Sequence, residues 1–147
     1  MTTTQDIITL LTDQLNSAVL LLGSSAATYT VVDYTDPAYL LKMFLLNKKV
    51  DVLFTVKSAQ SLTGRIHQGV PYTDRGDYEV DVWCASKTPH LNTNYKNLKD
   101  AGVAEVKRIF KAFPTYGTEK ATRNDPHVKG NVQIYNSTVT VTKNTYT

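Results

Sequence analysis

"YEVDVWCASKT", residues 78–88, is the most strand-like stretch in the chain and decides the fold. Tyr78, Val80, Val82 and Cys84 alternate with Glu79, Asp81 and Trp83. Side chains of a strand point to opposite faces with period two, so one face of this strand is apolar. The other face carries two acids and the chain's single tryptophan. That second face reads in three ways: an active site, an ordinary wet surface, or a surface for another copy of the protein.

The flanking sequence supplies the rest of the sheet. "VDVLFTVKS" (50–58) reads as a second strand, with Val50, Val52, Phe54 and Val56 inward. "ATYTVVDY" (27–34), rich in β-branched and aromatic residues, reads as a third. "GRIHQGVPYTDRGDYEVDVW" (64–83) reads as a β-arm: a run through Ile66, a polar tip rich in Gly, Pro and Asp, then the opening strand. Asp36 and Pro37 open a short helix or a strand through "AYLLKMFLLNKK". Thr3 and Asp6 resemble a capping box, and Ile8, Leu11, Leu15, Ala18 and Leu22 follow at helical spacing. This predicts an amphipathic helix over about 4–22, ended by Gly23.

A second helix is predicted over 94–113, its apolar stripe made by Val103, Val106, Phe110 and Phe113 with Leu98 and Ile109. Lys96, Lys99, Lys107, Arg108 and Lys111 take the remaining surface, and Pro114 ends the helix. A polar stretch (115–131) reads as irregular and leads to "VQIYNSTVTVTKN" (132–144), which reads as one or two short strands. The order predicts a single α+β domain over residues 1–147: an antiparallel sheet, an N-terminal helix and a second long helix packed on it, and a protruding β-arm.

Composition bounds the chemistry. The 147 residues are 41% hydrophobic and 20% charged, and a chain of this length buries roughly 70% of its unfolded surface without staples. Net charge is +3, well short of the Lys/Arg load of a dedicated nucleic-acid binder. The charge is polarised: residues 1–41 hold Asp6, Asp13, Asp33 and Asp36 and no Lys or Arg. One cysteine excludes an internal disulfide and a cysteine-rich metal site. "MTTTQD" lacks the basic region of a secretory signal, and no apolar run reaches the ~18–20 residues of a membrane span. These features predict a chain folded in a cytoplasm, where the glycosylation pattern Asn136-Ser137-Thr138 is accidental.

Each candidate for chemistry has a plainer reading. Glu79 and Asp81, at i and i+2 on a strand, lie roughly 6.5–7 Å apart, which overlaps the carboxylate spacing of inverting glycosidases. Such enzymes place their acids across a cleft, whereas alternating acids on one strand mark a solvated face. Cys84 is a nucleophile if His67 or His90 serves as its base, but its parity with Val80 and Val82 predicts a buried, inert thiol. His67, His90 and His127 lack metal-ligand spacing, and no GxGxxG or GxxxxGK[ST] is present. No catalytic, cofactor-binding or metal-binding residue is assigned. "RGD" at 75–77 is a tripeptide of common residues in a turn. The basic side of helix 94–113 suits phosphates, although Asp100 and Glu105 interrupt it. Nine tyrosines suit a protein that assembles, since tyrosine is enriched at interfaces.

The layout of "TTTQDIITLLTDQL", "DYEVDVWCASKT", "NLKDAGVAEVKRIFKAF" and "VQIYNSTVTVTKN" resembles the tail-terminator or tail-completion proteins of long-tailed phages and related archaeal viruses. The family has no catalytic motif. The resemblance implies a non-enzymatic ring, commonly of six copies, that caps the tail tube and meets the head connector. It would be assembled in the host cytoplasm and reside in the virion. The implied partners are other copies of the chain, a tail-tube protein, a head-connector or adaptor protein, and DNA passing through the channel, with no membrane. Tyr72, Arg75, Glu79, Asp81, Trp83, Lys107, Arg108 and Lys111 are the interface candidates. On this reading Glu79 and Asp81 face a neighbour or the channel, and Trp83 anchors a contact. The segment "DPAYLLKMFLLNKKVD" is long for the family, and the closing strands form a hairpin where one strand is usual. Those departures leave open a head-closure or adaptor role. The alternatives outside the family are a nucleic-acid-binding accessory protein and a small hydrolase.

Overall fold

The computed structural model describes residues 4–34, 50–62, 66–67, 70–71, 74–113, 116–129 and 132–145. Side chains are described over 4–34, 50–58, 78–113, 116 and 132–142. The chain has an α+β fold. In order it runs α1 (Thr4–Gln14), β1 (Leu21–Leu22), β2 (Ser25–Ala26), β3 (Tyr29–Asp33), β4 (Val52–Leu62), β5 (Ile66–His67), β6 (Val70–Pro71) and β7 (Asp74–Ser86). A 3-10 turn (Pro89–Leu91) leads into α2 (Asn92–Ala112), followed by β8 (Tyr116–Lys129) and β9 (Val132–Thr145).

Five strands form the main sheet in the order β3-β4-β7-β9-β8. Strand β7, which carries the opening motif, is the central one. Every pairing is antiparallel except β3 with β4, which is parallel in the register Tyr29↔Val52 to Asp33↔Val56. The sheet is therefore mixed rather than antiparallel throughout. Reciprocal contacts set the parallel register where both strands begin. Thr28 N–H and Oγ1 donate to Asp51 Oδ2 at 3.0 and 3.2 Å, and Asp51 N–H donates to Thr28 Oγ1 at 3.0 Å. Parallel neighbours need a crossover connection; the helix or strand anticipated for that connection lies outside the described residues.

Both helices lie on one face of the sheet, α1 against β3 and β4, α2 against β7, β8 and β9. Their core is the apolar face anticipated for β7: Tyr78, Val80, Val82 and Cys84 are buried with Phe54, Val56, Val139 and Val141. From the helices come Ile7, Leu11, Leu98, Val106, Ile109 and Phe110. Helix α2 approaches the sheet closely at Gly102. A Cβ there would stand 2.8 Å from Val82 Cγ1 and 3.2 Å from the Phe54 ring.

Helix α1 is shorter than the apolar spacing predicts. It ends at Gln14 because Asn16 forms its own turn, accepting Ala18 N–H on Oδ1 at 3.0 Å, a local bond that competes with the helix. Leu20 still reaches the core from the turn that follows. Gly23 consequently caps no helix. With φ +65° it makes the two-residue turn between β1 and β2, where a left-handed residue matches the twist of the paired strands. Strands β8 and β9 form one long hairpin in place of one or two short strands. Residues 116–129, read as irregular, become a strand because β9 offers them an edge.

Candidate functional site

The second face of β7 is not a wet surface. Leu53, Ala85 and Ile134 form a separate buried apolar cluster there, joined by Val32, Val50, Trp83 and Val132. Val50 thus belongs to this cluster rather than to the core beneath the helices. Among these apolar groups lies a polar row in register across three strands: Thr55 on β4, Asp81 on β7 and Thr138 on β9. Asp81 is only 5% exposed. Thr138 Oγ1 donates to Asp81 Oδ1, and Asn136 also hydrogen-bonds its carboxylate. Burial pushes the Asp81 carboxyl above its ordinary range, against the pull of those donors and of Lys57.

Two neighbours complete this face. Trp83 is half-buried and donates Nε1–H to Thr55 Oγ1 at 2.9 Å. Glu79 meets Lys57, its cross-strand partner, at 3.1 Å, and Lys57 sits 4.8 Å from the centre of the Tyr34 ring. The hydrogen bond to Glu79 raises the Lys57 ammonium above its usual value.

The expectation that Glu79 and Asp81 face a channel or a neighbour together therefore fails at Asp81. Its carboxylate is buried and engaged within the chain, on the central strand between Thr55 and Thr138 of the neighbouring strands. Nor do the two acids span a cleft: one is in an ion pair at the surface and the other is held by a threonine and an asparagine.

Cys84 is wholly buried, and burial drives its thiol well above the usual range, the opposite of an activated nucleophile. His90 is exposed in the 3-10 turn. The side chains of His67 and His127 lie outside those described. Among the described residues no group of three His, Cys, Asp or Glu can hold a metal ion. No described helix is long and apolar enough to cross a membrane.

Sequence reasoning placed Lys99 on the outer surface of α2, and the structure buries it. It is 2% exposed, with Nζ 2.8 Å from Ser137 Oγ and 2.9 Å from Asp100 Oδ1. A serine and a lysine at this distance share the geometry of a nucleophile and its base. Ser137 is itself 4% exposed, so no substrate reaches the pair, and its role is to close the polar ends of two buried side chains. The signal was in the helical spacing, because Tyr95, Lys99, Gly102 and Val106 fall on one stripe.

Glu105 is the second buried polar group that the sequence did not reveal. Its carboxylate accepts Arg108 Nε–H and Nη2–H at 2.8 and 2.9 Å and Asn16 N–H at 3.0 Å. Arg108 Nη2 also donates to Gln14 O at 2.9 Å. These bonds clamp the end of α1 to α2, and the Arg108 pairing lowers the Glu105 carboxyl below its usual value. Arg108, an interface candidate, thus has a structural task.

Lys107 and Lys111 are exposed on α2, as is Lys96. Arg75 lies in β7, its backbone between Leu62 and Asn144. Tyr72 lies outside the described residues. The arm exists as pairing: after a bulge between Ser58 and Gln60, β4 and β7 stay together to Leu62 and Arg75, and β5 pairs with β6 beyond them. Strand β9 backs the β7 side of the arm as far as Asp74. No family model matches the chain, and no curated protein matches it.

Proposed function

We propose that the chain is a non-enzymatic structural protein of a tailed virus, forming a ring at the head–tail interface or the tail end as a terminator or completion protein. A head-closure or adaptor role in the same structure is the nearest variant. The observation that carries the reading is the arm: a hairpin continued through β4, β5, β6 and β7 beyond a bulge. A bulge bends a strand, and an extended hairpin is a natural means of pairing with a neighbour's edge. The order of helix, strands, arm, long helix and closing hairpin adds support. The partners on this reading are further copies, a tail-tube protein, a head connector and DNA in passage, within a virion assembled in the host cytoplasm.

Light scattering and negative-stain imaging test it. Rings are expected, at high concentration or when tail tubes are added. A protein that stays monomeric in both conditions and never joins tails would overturn the proposal. A second reading, a nucleic-acid-binding accessory protein, is favoured by the exposed Lys96, Lys107 and Lys111. It requires retention by DNA that falls steeply with added salt as counterions are released.

A further inference from the structure

We draw no further inference here: the strongest candidate, the outer edge of β4 from Lys57 to Leu62, which β3 leaves unpaired beyond Val56 among the described residues, has room for an added strand, but nothing in the structure shows what covers it.

Discussion

The two faces of β7 are both buried, by different chemistry. Beneath the helices, Val80, Val82 and Cys84 meet apolar neighbours from β4 and β9, apart from Ser137, which lies opposite Val82 and bonds Lys99. On the other face, a row of hydrogen-bonded polar groups is enclosed by Leu53, Ala85, Ile134 and half-buried Trp83. The first face gains stability from area removed from water and loses it when volume changes. The second depends on every polar atom having a partner, since an unpaired buried group costs more than a satisfied one contributes.

Several experiments would break or sharpen this contrast. The largest effect is expected at Phe54→Ala, which opens a cavity beneath the helices and should cost about 3–5 kcal/mol in urea unfolding. A loss under about 1 kcal/mol would show that this core rearranges freely, contrary to close packing. Next is Gly102→Ala, whose Cβ meets two buried side chains, Val82 and Phe54. Overpacking should cost about 1–3 kcal/mol despite alanine's better helix propensity. A variant more stable than the wild type would mean that the helix shifts without penalty.

On the polar face, Thr55→Val keeps the shape but leaves the Trp83 indole N–H without its acceptor. A loss of about 1–2 kcal/mol is expected, with a changed tryptophan emission reporting the altered hydrogen bond. An unchanged midpoint would mean that water or another group replaces the hydroxyl.

The smallest effects are pH-dependent and opposite in sign. Glu105 titrates below its unfolded value when folded, so its pairing stabilises the protein above the unfolded pKa, and that stability is lost as pH falls through the folded pKa. Glu105→Gln should therefore cost about 1 kcal/mol near neutrality, a value reduced for the exposed position of Arg108, and nothing in strong acid. Asp81 titrates above its unfolded value, so its charged form is the less favourable one in the fold. Asp81→Asn should raise the unfolding midpoint at neutral pH, and the gain should vanish as the wild-type carboxyl becomes protonated. If the two substitutions move stability in the same direction at pH 7, the contrast between a carboxylate paired with an arginine and one held only by neutral donors is wrong.

Legibility from sequence followed the range of the interaction involved. Alternation along 78–84 assigned each residue of β7 to its face, and helical spacing located α2 with its core residues Leu98, Val106, Ile109 and Phe110. These are properties of neighbouring residues and need no partner. Whether the face of Asp81 is wet depends on its neighbours across the sheet, and the chain brings Thr55 and Thr138 to it from far away. Gly23 shows the same limit at short range: a glycine after an apolar helical run suits a helix end and a hairpin turn equally, and Asn16 settled the choice by turning the chain first.

The site was less legible than the fold. Arg108 and Lys107 are adjacent and chemically alike in sequence, yet one clamps α1 to α2 and the other is exposed. The acids Asp100 and Glu105 read as breaks in a basic surface, and both are bonded within the chain. By itself the sequence determined the strand faces, the two helices, the α+β class and the separation of acidic from basic segments, because period and composition are local. Only the tertiary structure decided the parallel β3–β4 pairing, the burial of Asp81 and Lys99, and which lysines remain unpaired. Each of those outcomes depends on side chains that meet across tens of residues, a distance over which periodicity carries no information.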